Sequence, residues 1–339
     1  MKKILLIRFS ALGDVAMLAP VVKEVAAINK DVDFTVLSRP ISEPFFEGIG
    51  ENVHFIGRKV KEEYKGIGGL LRLFGELDDM GFDCVMDMHD VLRTKVLRKL
   101  FRLHGYKVYK INKHRELRKV ITAEGDKKIL IQLPTAFDNY REVLAKAGLS
   151  VNNIEGNNSP IKDSSASSQI KIGIAPFAAH QGKIYPLEKM EEVIVSLPVN
   201  YIVILFCGGG EEREKMQEWS NKYPNVHLAS EYCKGLREEL QLMKELNVMV
   251  SMDSANMHLA SLVGTRVVSI WGATHPNAGF LGWGQSIDDC IQRNDLKCRP
   301  CSIYGNKPCL RGDMACMDIK PEEIVKKILS GVTSYKAQD

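Results

Sequence analysis

Short runs of β-prone apolar residues alternate with longer stretches in which apolar positions recur every three or four residues. In the first half, residues 3–9, 34–37, 53–56 and 84–88 read as strands, and residues 15–28, 69–77, 91–103 and 135–147 carry helical spacing. The second half restarts the pattern. Strands are predicted at 171–175, 201–207, 226–228, 248–252 and 266–271, with helices at 187–197, 211–222, 236–246, 255–263 and 321–329. Such alternation predicts parallel sheets covered by helices, hence an α/β protein. Between the halves lies a Ser-, Asn- and Gly-rich stretch, 156–169, that cannot build a core and is the expected linker. The expected domains are therefore 1–155 and 170–339. Ligands in such folds bind outside the carboxyl ends of the strands, so two domains in series are expected to face each other across a cleft.

Composition narrows the class. Of 339 residues, 45% are hydrophobic, enough for packed cores. The apolar runs are short, as at 201–207, and a membrane-spanning helix needs about 20 residues. Met1-Lys2-Lys3 and the apolar run to Ile7 look like the start of an export signal, but Arg8 and Asp14 interrupt it, and a first strand is the better reading. With no export signal, the eight cysteines are expected in a reducing, cytoplasmic setting without disulfides. The net charge is only +4, yet it is unevenly spread. Eleven basic residues, among them Arg93, Arg98, Lys113 and Arg115, fall within 93–119 against the single acid Glu116. Such a segment seeks phosphates, carboxylates or an anionic membrane surface. It carries no recognisable nucleic-acid motif, so nucleic acid is not the expected partner.

Several segments at strand ends carry candidate chemistry. Arg8-Phe-Ser10-Ala-Leu-Gly13-Asp14 follows the first strand, and Asp14 suits either a general base or a helix cap. Met252-Asp253-Ser254-Ala255-Asn-Met-His258 follows a strand and opens a helix, whose amino end is a ready diphosphate site or a plain capped terminus. Lys183, on the loop after residues 171–175, is a candidate phosphate contact or an ordinary surface lysine. The turn at Gly208, Gly209 and Gly210 can accommodate a nucleotide. It lacks the dinucleotide fingerprint, with Arg213 at the third glycine position, and the chain has no Walker-type loop. Cys298, Cys301, Cys309 and Cys316 suit either a structural zinc or buried free thiols.

Taken in order, these motifs resemble glycosyltransferase family 9, the lipopolysaccharide heptosyltransferase family, over almost the whole chain. The loop from Arg8 to Asp14, continuing to Pro20, is similar to the family's Arg-x-Ser-x-x-Gly-Asp loop. Asp87-Met-His89 through Arg93 resembles its Asp-x-Gln segment, with His89 in the glutamine position. Asp253-Ser254-Ala255 with His258 resembles its Asp-[Ser/Thr]-Gly-x-x-His loop, with Ala255 in the glycine position, and Trp271-Gly272-Ala273-Thr274 resembles the turn that follows. The resemblance implies a GT-B fold, two Rossmann-like domains with the acceptor domain first. It implies an inverting transferase needing no catalytic metal, moving heptose from ADP-heptose onto a lipopolysaccharide core or similar anionic lipid-linked saccharide at the inner face of the cytoplasmic membrane. Asp14 and Lys183 would be catalytic. Asp253, Ser254, Ala255, His258, Gly208 and Gly209 would hold the donor, and Ser10, Gly13, Arg93, Arg98, Lys113 and Arg115 the acceptor.

Other readings keep fewer of these features. A nucleotide-sugar epimerase or hydrolase would need no large basic patch. A polyanion-binding protein would use residues 93–119 alone, and an interaction module would use the cysteine segment alone.

Overall fold

The computed structural model describes residues 1–151 and 169–333. The chain divides into two compact units, one of Met1–Lys113 with Pro134–Glu155, the other of His114–Leu133 with Gly156–Asp339. The expected linker at 156–169 lies, but for Gln169, outside the described residues.

The first unit contains β1 (Lys2–Ile7), α1 (Leu12–Ile28), β2 (Val32–Ser38), β3 (Val53–Gly57), α2 (Gly66–Asp78), β4 (Cys84–Asp87), α3 (Leu92–Leu103) and β5 (Lys107–Lys110). After a short helix α4 (Arg115–Ile121), which belongs to the second unit, the chain returns as α5 (Ala136–Lys146). The sheet is parallel, in the order β3-β2-β1-β4-β5, with Ile7 level with Leu37 on one side and Asp87 on the other. Leu5 and Ile7 pack with Leu73, Phe74 and Leu77 of α2 and Leu97 and Phe101 of α3. Strand β5 was not expected. Lys-Val-Tyr-Lys lies within the basic segment, where charge masks its alternation, and as an edge strand it leaves Lys107 and Lys110 exposed.

The second unit continues with β6 (Lys171–Ala175), α6 (Leu187–Val195), β7 (Ile202–Leu205), α7 (Glu211–Lys222), β8 (Val226–Leu228), α8 (Leu236–Lys244), β9 (Val248–Met252), α9 (Ala255–Leu262), β10 (Val267–Trp271), β11 (Cys290–Gln292) and α10 (Pro321–Thr333). Its parallel order is β11-β10-β9-β6-β7-β8. Alternate strand residues such as Ile172, Ile174, Val203, Leu205, Val248 and Val250 meet Met190, Met216, Trp219, Ile324 and Ile328 in one core. Strand β11, an edge strand three residues long beside β10, was not expected.

The segment 114–133 is pinned to the second unit. Ile121 and Leu133 share a buried cluster with Ala278, and Arg118 donates to the Tyr304 hydroxyl (2.8 Å) while lying over the Phe280 ring. Among the described residues, no helix is long and apolar enough to cross a membrane.

In both sheets the strand order reverses beside the first strand: between β1 and β4 in one, between β6 and β9 in the other. Loops on either side of such a switch point leave in opposite directions and open a crevice at the carboxyl ends.

Candidate active site

At the first switch point, β1 ends at Ile7 and α1 begins at Leu12. Asp14 is the third helical residue. Its Oδ2 accepts the Ala11 amide (3.1 Å) and lies 2.7 Å from Arg8 Nη2, and the side chain stays 27% exposed. A carboxylate at this position reaches back to the helix start in the ordinary way, so a cap and an accessible carboxylate are the same side chain here. Arg8, nearly buried, also donates to the Met88 carbonyl and lies 5.5 Å from the centre of the Tyr140 ring. The Tyr140 hydroxyl in turn donates to the Asp14 carbonyl (3.0 Å). Gly13 is buried in the helix's first turn.

The facing loop after β4 is held by Asp87, whose Oδ1 accepts the amides of His89 (2.9 Å) and Asp90 (2.8 Å). Arg98 lies 3.1 Å from both Asp87 Oδ2 and Asp90 Oδ1, and its side chain is only 10% exposed. Arg98, expected to hold the acceptor, therefore scaffolds this loop from within. Hydrophobic periodicity puts it on the helix face that packs against the sheet. Ser10 Oγ and His89 Nε2, 3.3 Å apart, join the two loops. Burial first, then Arg8 and Lys113, push the His89 imidazole down to about 3. Asp14 opposes them and Arg93 adds to them. Arg93 and Lys113 thus stand beside the crevice, and Lys113 Nζ lies 3.5 Å from the Asp90 carbonyl. Arg115 begins α4 and belongs to the second unit.

At the second switch point, Lys183 Nζ is 2.9 Å from Asp253 Oδ2 and 2.9 Å from the Asp253 carbonyl. Both side chains are largely buried. Ser254 precedes α9 but makes no side-chain cap. Its hydroxyl meets Ser251 Oγ instead (3.2 Å), which leaves the first-turn amides of α9, beginning at Ala255, uncapped by a side chain. His258, one turn on, is buried. Gly208 and Gly209 form an exposed turn beyond the adjacent β7, with the Gly208 amide held by Glu212 Oε2 (2.8 Å).

Close backbone packing fixes the Lys183 loop. A Cβ on Gly182 would stand 2.8 Å from the Gly305 carbonyl oxygen, and one on Gly305 (φ +69°) would stand 2.6 Å from Lys183 Cγ. The Ala273 amide donates to Gly182 (2.8 Å), and the Cys301 amide donates to Ala273 (2.8 Å). Arg299, 3% exposed, holds the same turn. It donates to the carbonyls of Gly272 (2.5 Å), Trp271, Thr274 and Arg293 (2.9 Å each) and to Gln292 Oε1 (3.0 Å). Arg299, Gly182 and Gly305 carried no signal in the sequence, because their role lies in long-range packing.

Cys298, Cys301, Cys309 and Cys316 are free thiols. Among the described residues, no three His, Cys, Asp or Glu side chains are grouped as a metal ion requires.

Two Rossmann-like units, each with polar and charged side chains gathered at its switch point, give the GT-B fold. The family model of glycosyltransferase family 9 (heptosyltransferase) matches residues 70–307, and the chain belongs to that family. The fold is shared with the E. coli heptosyltransferase WaaC solved with ADP, at 14% identity and a TM-score of 0.67, covering 97% of this chain and 99% of that one. E. coli ADP-heptose lps heptosyltransferase II gives 17% identity and a TM-score of 0.66, covering 99% and 100%. A family 9 glycosyl transferase from Veillonella parvula gives 18% and 0.71, covering 98% of each chain. WaaC has also been solved with ADP-2-deoxy-2-fluoro heptose, at 15% identity and a TM-score of 0.67 over 98% of this chain and 100% of that one. No curated protein matched.

Proposed function

We propose that this enzyme transfers heptose from ADP-heptose to a hydroxyl of an anionic, lipid-linked saccharide, with inversion and without a catalytic metal. The observation that carries the reading is the chemistry at the second switch point, where a buried lysine stands beside an uncapped helix amino end. That combination suits a pyrophosphate, and the related WaaC binds ADP and a fluorinated ADP-heptose.

In this reading the donor pyrophosphate lies against Ser254 and Ala255 with Lys183 beside it. Asp253 orients Lys183, His258 positions the donor, and Gly208 and Gly209 leave room for the nucleoside. The attacking hydroxyl gives its proton to Asp14 as its oxygen bonds to the anomeric carbon. The bond from that carbon to the phosphate oxygen breaks, and ADP leaves with the electron pair. Lys183 and the α9 amides offset the growing charge on the leaving group. Preorganised donors of this kind are typically worth about 3–4 kcal/mol each. Ser10, Gly13, Arg93 and Lys113 border the acceptor.

A peripheral membrane partner fits the outer face of α3. There Lys95, Lys99 and Arg102 are exposed between Leu92 (80% exposed) and Leu103 (82%). Basic residues flanked by exposed leucines suit an anionic bilayer surface.

A calorimetric screen of nucleoside diphosphates tests the donor site. ADP is expected to bind at least tenfold more tightly than UDP or GDP, and Lys183→Ala to weaken it. Equal, weak binding of all three would remove the reading.

A further inference from the structure

His89 is a buried polar side chain left half-satisfied at the first switch point. The residue is 8% exposed. Nε2 faces Ser10 Oγ at 3.3 Å, while Nδ1 is buried with no hydrogen-bond partner. A neutral imidazole carries one donor and one acceptor nitrogen. Whichever tautomer meets Ser10, one hydrogen-bonding function remains unmet, at a cost of about 1–3 kcal/mol. Such a group in a folded protein calls for an explanation.

The surroundings argue against a loosely placed ring. The loop bearing His89 is fixed by two main-chain amides on Asp87 and by the buried Arg98 between Asp87 and Asp90. The ring also stands edge-on to Phe9, with centroids 6.5 Å apart. The charges acting on it are Arg8, Lys113 and Arg93, with Asp14 opposing them. A neutral ring held beside cations is poorly suited to bind an anion itself. It is well suited to read a hydroxyl of a molecule whose anionic group those cations hold.

We propose that His89 is a specificity-determining residue that hydrogen-bonds, through Nδ1, a hydroxyl of an anionic acceptor sugar whose carboxylate or phosphate lies toward Arg93 and Lys113. This rests on the transferase reading above. The contacted hydroxyl is a neighbour of the one that attacks, and Ser10 sets the tilt of the ring. A site built to hydrogen-bond a substrate hydroxyl rejects the analogue lacking it, because its own buried polar group is then left unpaired. Discrimination against one deoxy-sugar is therefore expected of the native enzyme and should vanish when the imidazole is removed.

The test uses the full-length enzyme with ADP-heptose, a carboxylated or phosphorylated core oligosaccharide freed of lipid, and its set of monodeoxy analogues. For the native enzyme, one analogue with its attacking hydroxyl intact should have kcat/KM at least tenfold below the parent. His89→Phe, which keeps the aromatic packing, should use parent and analogue equally, with the parent's KM raised about tenfold and the donor KM unchanged. His89→Gln, which keeps a polar end, should restore part of the discrimination, and it serves as the deciding variant if the phenylalanine form does not fold. Undiminished discrimination in either variant would overturn the assignment. So would no discrimination in the native enzyme, since Nδ1 would then be serving only a trapped water. If the native enzyme transfers nothing to the parent, the transferase reading itself has failed, and that outcome is distinct from the others.

Discussion

Lys183 and Asp253, on the loops that follow β6 and β9, form an ion pair of 2.9 Å, with the lysine also bonded to the aspartate's own carbonyl. The pair is largely removed from water, so each charge depends on the other. Removing one partner of a buried pair typically costs about 3–5 kcal/mol, because the remaining charge is stranded. Lys183→Ala should therefore lose about 3 kcal/mol in urea unfolding as well as donor affinity. The double variant Lys183→Met with Asp253→Asn should regain most of the stability and none of the activity. Recovery of activity in the double variant would show that the lysine acts only on the fold.

Asp14 combines a helix-start contact with the proposed proton acceptor. Asp14→Asn retains an oxygen for the Ala11 amide but loses the charge facing Arg8. General bases typically contribute about 10²–10⁴ in rate. Turnover should fall at least 100-fold while the Kd for ADP, read by calorimetry, stays within twofold.

Gly305 is expected to matter through Lys183. At φ +69° a side chain is strained, and its Cβ would press on Lys183 Cγ. Gly305→Ala should lower stability by about 1–2 kcal/mol and raise the donor KM severalfold, leaving the acceptor KM unchanged. Gly75→Ala, in α2 with open space around it, should alter neither kinetic constant and should match or exceed native stability.

Two histidines link stability to pH. Burial, reinforced by nearby cations, pushes His89 down to about 3 and His275 to about 4. Both are neutral in the folded chain and take up protons near pH 6.5 when unfolded. Their contribution is complete above pH 6.5 and is lost as pH falls toward their folded values. Each contributes a slope of up to about 1.4 kcal/mol per pH unit well below 6.5. Urea unfolding at pH 7, 6 and 5 should show declining stability, and His89→Gln should flatten the decline. Equal stability at the three pH values would contradict the burial of these rings as described.

The architecture was legible because strand and helix periods differ and because long apolar patterns dominate, as in residues 171–175 and 248–252. Elements whose identity comes from neighbours were not. Strand β5 exists because β4 offers it a ladder, and α4 because Ile121 finds Ala278, far along the chain in the same unit. The same limit applies at the sites. Asp14, Lys183 and Ser254 stood out because the loops that follow strands are visible in sequence. The inward turn of Arg98 and the carbonyl cluster around Arg299 arise from contacts far apart in the chain. Reading residues 93–119 as one basic patch also failed to see that the segment is shared between two units.

The most direct test of the transferase account is ADP release from ADP-heptose, followed with and without an anionic core oligosaccharide in the presence of EDTA. The account predicts release that depends on the oligosaccharide, persists in EDTA and disappears in Asp14→Asn. Release that proceeds equally without the oligosaccharide, or no release at all, would contradict it.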